Sequence, residues 1–400
     1  MSEQLVAGFR QQFPFFTQYA EWSYLDSAAT TLKPTVLIEA MSDFYASAGS
    51  VHRSQYDLAQ TQDYELARQL VAKWFNVESA EGVIWTSGTT HSINLVASGL
   101  AYSLNAGDEI IISIAEHHAN FIPWQQLAMQ TQAKLIIVSV SANLELTVEQ
   151  LKQVLSTKTK IVALNLVSNV TGIRQPVESL IPIIRQYSSA KILLDCAQAV
   201  CSERIDVQRL GADFYTFSAH KMYGPTGVGV LMGKVQSLAQ IRPLFFGGKM
   251  LNDVSIDHLE LAELPYRLEA GTPNIAGIIG FGKVLQWLTK WDMDTLNQAV
   301  KQLSIQAYQR LTGYSNIRLF CDKPITIISF AVDRIHHADI AAIMAESKVA
   351  IRSGEHCAKP YLAHLNQPGT LRISLAPYNQ AQDLNRLFEA LEVAFTLLAD

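Results

Sequence analysis

Short, nearly continuous apolar runs alternate along this chain with stretches in which apolar residues recur at helical spacing. Ile110 to Ile114, Leu135 to Val140, Ile161 to Leu166, Ile192 to Leu194, Phe214 to Phe217 and Val228 to Met232 read as strands. They lack the alternation of a half-exposed sheet, so the sheet they build is expected to be covered on both faces. Between them, Thr147-Val148-Glu149-Gln150 has the form of a capping box opening a helix to about Leu155. Val177 to Tyr187 carries apolar positions at helical spacing, and Ser92 to Leu100 follows a glycine turn. Strand, helix and strand in succession predict right-handed crossovers and an open, mostly parallel sheet in an α/β fold.

The texture changes after roughly Gly280. Helical Val284 to Leu311 leads into strands at Ile317 to Phe320 and Ile325 to Val332. A helix from Ala338 to Glu346, a strand at Leu371 to Ser374 and a helix from about Ala381 follow. The pattern predicts a large unit over residues 20–280 and a smaller α/β unit over 281–400, with residues 1–19 packing on the smaller one. No repeat, low-complexity tract or Pro-rich linker separates them, so the two are expected to pack firmly.

Composition narrows the class. The 400 residues are 49% apolar and 17% charged, which suits a well-packed globular protein of two or three units. A net charge of −5 without any basic run argues against a nucleic-acid binder. Met1 to Arg10 lacks the basic start and apolar core of a secretory signal. The most apolar windows, Ile325 to Val332 and Asn274 to Leu288, are too short or too interrupted to span a bilayer. A soluble, cytoplasmic protein is expected, with no membrane partner. The spacing of Cys196, Cys201, Cys321 and Cys357 fits neither a zinc ribbon nor a disulfide framework. Cys196 and Cys321 read as buried thiols and Cys201 is ambiguous. Cys357 stands apart among polar, flexible neighbours.

The most informative run is Asp213 to Lys221, an apolar strand ending in Ser218-Ala219-His220-Lys221 before a turn at Met222 to Gly227. A lysine desolvated at a strand end loses pKa, and its neutral amine can condense with a carbonyl. The alternative is a lysine snorkelling into solvent. Ser87-Gly88-Thr89-Thr90 stands between Val83-Ile84-Trp85 and a helix, where exposed amides and two hydroxyls suit a phosphate, though a routine helix cap uses the same residues. Asp195 closes the run Lys191 to Leu194, at the sheet edge where ligands gather in such folds. It could hold a pyridinium nitrogen protonated, with Gln198 at the ring's phenolic oxygen, or it could cap a helix. His117 and His118 also follow a strand end. His117 can stack on a pyridine ring, His118 suits a structural role, and no zinc-ligand spacing appears. Cys357, in Arg352-Ser353-Gly354-Glu355-His356-Cys357-Ala358, sits on a glycine-bearing loop that favours an accessible thiol. Arg372 could clamp a carboxylate in bidentate fashion, or form a surface ion pair. Phosphate turn, stacking histidine, strand-end Asp, Ser-x-His-Lys and Arg in this order supply what a pyridoxal phosphate (PLP) site needs. No G-x-G-x-x-G follows an early strand, which disfavours a nicotinamide dehydrogenase.

With these residues in place, the chain resembles the PLP-dependent cysteine desulfurases of the class-V aminotransferase type. The likeness is to their second group, the SufS-like and selenocysteine-lyase-like enzymes, and within it to the cysteine sulfinate desulfinases. It runs from about Tyr24 to the C-terminus. Tyr24 to Thr30, Ala115 to Asn120, Phe217 to Gly227, Glu269 to Asn274 and the Cys357 loop carry it. The resemblance implies PLP-dependent transferase fold type I, a homodimer and removal of sulfur, sulfinate or selenium from L-cysteine, cysteine sulfinate or selenocysteine to give L-alanine. It implies that Lys221 bonds to PLP, Asp195 faces the ring nitrogen, Gln198 the ring hydroxyl, and His117 stacks on the ring. Thr89, Thr90, Ser218 and His220 would hold phosphate, with Thr272 reaching over from the other subunit. Asn169 and Arg372 would meet the substrate. Cys357 would carry a persulfide to a SufE-like acceptor, a step that serves iron–sulfur cluster assembly. Ser27 replaces the commoner Asn, and Glu355 the usual His or Gln, where its carboxylate should disfavour a Cys357 thiolate. Another fold type I enzyme, an aminotransferase or a kynureninase-like hydrolase, would share all but the cysteine. A non-catalytic PLP-binding sulfur carrier is the remaining alternative.

Overall fold

A computed structural model describes residues 2–47 and 49–398. Seven strands form the main sheet: β1 (Val83–Thr86), β2 (Glu109–Ser113), β3 (Lys134–Val138), β4 (Thr159–Asn165), β5 (Lys191–Asp195), β6 (Phe214–Ser218) and β7 (Gly229–Gly233). Their spatial order is β1-β7-β6-β5-β4-β2-β3. β3, β2, β4, β5 and β6 run parallel, and β7 lies antiparallel between β6 and β1. Each apolar run anticipated as a strand is one, displaced by a residue or two.

Continuous apolar runs are explained by what covers them. Along β1, Val83 and Trp85 belong to one buried cluster and Ile84 to another on the opposite face. Along β5, Ile192 and Leu194 join the first cluster while Leu193 joins the second. Helices therefore cover both faces. The edge strand β3, partly open to solvent, is the exception. The capping box at Thr147 is formed, with Gln150 N–H donating to Thr147 Oγ1 at 3.2 Å, and opens the helix Val148–Val154.

A second sheet contains β8 (Ile317–Leu319), β9 (Ile327–Val332), β10 (Arg352–Gly354) and β11 (Thr370–Ser374), in the antiparallel order β8-β9-β11-β10. The helices His337–Glu346 and Ala381–Leu397 help to cover its own apolar core. The N-terminal segment is stitched to this sheet's surroundings: Ser23–Tyr24 pairs with Val349–Ala350, and Asp26 bridges to Ser374. Arg10 binds Asp383 at 2.9 Å while Phe9 stacks on Trp287 at 5.2 Å between ring centres.

One expected element divides. The helical pattern from Val284 to Leu311 is two helices, Ile275–Leu288 and Met293–Thr312. Asp292 makes the break, because its carboxylate accepts the Thr295 N–H at 3.0 Å and opens the second helix.

Candidate active site

Where the parallel strands end, a cavity of about 570 Å3 is closed from the other side by the Arg352–Cys357 loop and Arg372. That is the usual ligand edge of an open α/β sheet. Every site residue expected from the sequence lines it except Thr272, which lies exposed elsewhere.

Lys221 ends a single tight turn, Ala219–Lys221, that follows the fully buried strand β6. Burial lowers its pKa to about 8; Asp195 and Cys357 oppose the shift and Arg372 adds to it. The amine faces the cavity rather than bulk solvent, so the snorkelling alternative fails. Asp195, 5% exposed, ends β5, and its Oδ1 accepts the Ala197 N–H at 2.9 Å. Burial pushes this carboxyl up, against the pull of the Ala197 N–H and of Lys221. Gln198 is oriented by the bond from its Nε2 to Ala28 O, 2.9 Å.

His117 Nδ1 accepts the Ala119 N–H at 3.0 Å, so the neutral ring carries its proton on Nε2. Burial, reinforced by Lys221, His118 and Arg372, lowers its pKa to about 4. His118 is structural. Its N–H donates to Cys357 O at 2.7 Å and its Nε2 accepts the Lys359 N–H at 3.1 Å, which ties the cysteine loop to the end of β2.

The turn Ser87 to Thr90 opens the helix Thr89–Leu100, and Thr89 and Thr90 line the cavity at its start. Thr89 bonds Ser218 Oγ through both its N–H and its hydroxyl, each at 2.8 Å, which fixes the turn to the end of β6. Gly229 lies against Gly88 so closely that a Cβ would overlap the Gly88 backbone. His220 Nδ1 lies 3.1 Å from Thr30 Oγ1, and burial, with Lys221 and Lys33 nearby, lowers its pKa to about 4. Amides and hydroxyls for a phosphate, a flat imidazole, a buried carboxyl and a desolvated amine share one chamber. This donor set fits PLP.

Arg372, 3% exposed, is no surface ion pair. Its Nη1 donates to Asn169 O at 2.9 Å and its Nη2 to Asp26 Oδ1 at 3.2 Å. Its buried Nε has no partner among the described residues. Asp26 was not singled out from the sequence, although it lies in the Tyr24 to Thr30 motif. Asn169 donates from Nδ2 to His356 O at 2.7 Å. The loop carrying Cys357 is backbone-strained: Gly354, His356 and Cys357 have φ of 110°, 52° and 52°. Besides Asn169 and His118, the contact of His356 Nε2 with Thr370 Oγ1 at 2.8 Å holds it. Cys357 itself is exposed, whereas Cys196 and Cys321 are buried. Glu355 pairs with Lys359 at 3.5 Å in solvent.

A buried ion pair escaped the sequence reading. Arg68 holds Glu269 through Nη1 and Nη2 at 2.6 and 3.0 Å, and the Trp85 N–H donates to the same carboxylate at 2.7 Å. The pair anchors the Glu269 to Asn274 segment against β1. Its partners are 201 positions apart, so no local pattern shows it. Among the described residues there is no cluster of three or more metal-ligating side chains, and no helix is long and apolar enough to cross a membrane.

Residues 23–387 match the aminotransferase class-V family. A probable cysteine desulfurase of Haemophilus influenzae is 53% identical over 97% of this chain and 89% of its own length. Cysteine desulfurase CsdA of Escherichia coli is 42% identical over 98% of both chains. A crystal structure of that cysteine desulfurase superposes with a TM-score of 0.93 at 41% identity, again covering 98% of each chain.

Proposed function

From the premise that the chain belongs to the aminotransferase class-V family, we propose that it is a PLP-dependent cysteine desulfurase. The observation that carries this reading is the meeting of the Lys221 amine, the Asp195 carboxyl and the Cys357 thiol on one cavity. The first two suit many PLP enzymes; an exposed thiol on a strained, anchored loop is what sulfur transfer adds.

Bound PLP supplies an electron sink for the α-carbon of an amino acid. Lys221 would hold it through Nζ, with Asp195 toward its ring nitrogen, His117 against its ring and Gln198 toward its hydroxyl. Thr89, Thr90, Ser218 and His220 would receive its phosphate, with Thr272 of a second copy joining them in a homodimer. Arg372 and Asn169 line the cavity where the substrate carboxylate would sit. With burial lowering its pKa to about 8, the Lys221 amine can take and return a proton at the α-carbon. Cys357 Sγ, as thiolate, attacks the substrate sulfur. A sulfur–sulfur bond forms, the substrate carbon–sulfur bond breaks, and its electron pair remains with the carbon skeleton, which is protonated. The net change converts L-cysteine and the Cys357 thiol into L-alanine and a Cys357 persulfide. Cysteine sulfinate and selenocysteine fit the same contacts and carry better leaving groups, so they depend less on Cys357. The exposed position of Cys357 suits hand-over to a SufE-like acceptor protein, and its thiol chemistry suits a cytoplasmic setting.

Alanine release from the three substrates, measured in parallel, tests the reading. Lys221→Ala should lose the visible cofactor absorbance and turnover. Cys357→Ala should lose about a hundredfold or more with cysteine and much less with sulfinate. Turnover unchanged in Lys221→Ala refutes the assignment, and keto-acid in place of alanine favours an aminotransferase.

A further inference from the structure

Lys33 is a half-buried lysine that none of the chemistry above uses. Its ammonium has three N–H donors and meets three oxygens: Thr31 O at 2.7 Å, His220 O at 3.0 Å and Thr30 Oγ1 at 3.1 Å. Donor count and acceptor count match, which favours the charged form. Burial works the other way and draws its pKa down to about 7, with the Cys201 thiol nearby opposing that shift.

The acceptor that matters is His220 O, because that carbonyl belongs to the peptide bond leading into Lys221. It is oversubscribed. Besides Lys33, the Thr31 N–H and the Thr31 hydroxyl each approach it at 3.0 Å, and the Thr30 hydroxyl lies at 3.0 Å as well. A carbonyl oxygen offers two lone pairs, so this crowding polarises the peptide and fixes its plane. The same segment also grips the residues on either side. Thr30 Oγ1 contacts the His220 ring at 3.1 Å, and the Tyr223 N–H donates to Thr31 Oγ1 at 2.7 Å. Lys221 sits on a single helical turn with no long element to stiffen it. Its direction must come from such tertiary contacts.

We propose that Thr30, Thr31 and Lys33 form a clasp on the His220–Lys221 peptide, with Lys33 the positioning residue that aims Lys221 into the cavity. The proposal rests on the assignment of Lys221 as the cofactor-binding lysine. It adds a residue that touches neither cofactor nor substrate and acts only through the backbone.

Lys33→Met keeps the length and apolar bulk of the side chain but removes all three bonds. A misaimed amine costs rate rather than substrate affinity, since misplacement of about 1 Å can cost about a hundredfold. The expected result is a kcat ten- to a hundredfold lower, by about that measure, with KM for cysteine within about twofold. The urea midpoint should follow the wild type, and Lys33→Arg should recover most of the loss. A second readout needs no cofactor. In the apoprotein, the pH midpoint for acylation of Lys221, followed by peptide mass, should move up toward an ordinary lysine as the amine swings into water. If Lys33→Met does not fold, Thr31→Val serves instead, because it keeps the side-chain shape and deletes only the hydroxyl. A clasp variant that is folded and coloured, with wild-type kcat and an unmoved acylation midpoint, overturns the proposal. Colourless, inactive wild-type protein would instead overturn the assignment of Lys221 on which it rests.

Discussion

Glu116 has no exposed surface, and its carboxyl meets amide donors only: the Asn165 N–H at 3.0 Å and Asn120 Nδ2 at 2.7 Å. A buried carboxylate without a cation is costly and protonates instead. Burial accordingly raises its pKa to about 8, with Asp195 adding to the shift and the amide donors opposing it. The folded state thus keeps a proton that the unfolded chain releases above the ordinary glutamate value of 4.5. Stability from this group is complete below that value and is lost as pH rises toward 8. Relative to the wild type, Glu116→Gln should therefore gain stability by about 1.4 kcal/mol per pH unit between about 5 and 8, and no further above. Urea unfolding of both proteins across that range checks the slope. A constant difference means that Glu116 is ionised in the fold. Single residues of this kind set the limit of sequence reading. Lys221, Asp195, His117 and Cys357 stand out because each ends a strand or interrupts the pattern around it. Glu116 and Lys33 lie beside such motifs, but their burial and partners depend on the closed fold.

At the scale of elements, the sheet was legible because a strand covered on both faces must be apolar along its buried length, a rule that serves for β2 and for β4 to β7 without knowledge of neighbours, while the edge strand β3 is partly open. Less showed where an element is interrupted or carries buried charge. The helix break at Asp292 depends on one cap within a continuing helical rhythm. The helix Leu58–Trp74 buries Arg68, whose partner comes from the far side of the chain. The turn that opens the Thr89 helix depends on two elements meeting. β7 passes so close behind Gly88 that only glycine fits at position 229. Gly229→Ala should push the start of the Thr89 helix away from Ser218 and cost about 1–3 kcal/mol of stability. Cofactor affinity should fall with it, as read by titration of visible absorbance. Wild-type affinity in a folded Gly229→Ala protein would show that the turn does not carry the phosphate.

The whole molecule assembles its site from distant parts of the chain, because the cavity draws on residues from Ala28 to Arg372 and needs both sheets in place. Even so, one expected contributor is missing from it. Thr272 lies on the surface, and the Gly271 N–H donates to Gly248 O at 2.9 Å, which links its segment to the hairpin Leu251–Val254 and Leu259–Leu261. Around that hairpin Phe245, Phe246, Val254, Ile256 and Leu259 are all exposed. Ile256 has no cover at all, at 107% of its reference area. An exposed apolar cluster of this kind on a well-packed protein is a candidate association surface. If the hairpin seats on a second copy, Thr272 is carried to the neighbouring phosphate, and pairing and cofactor binding become one equilibrium. Phe246→Asp combined with Ile256→Asp should then sediment at the 44.3 kDa of one chain rather than twice that. The monomer should also bind PLP at least about tenfold more weakly, the worth of one lost hydrogen bond to a charged phosphate. A monomer with undiminished cofactor affinity would place Thr272 outside the site and leave each subunit sufficient for its own phosphate.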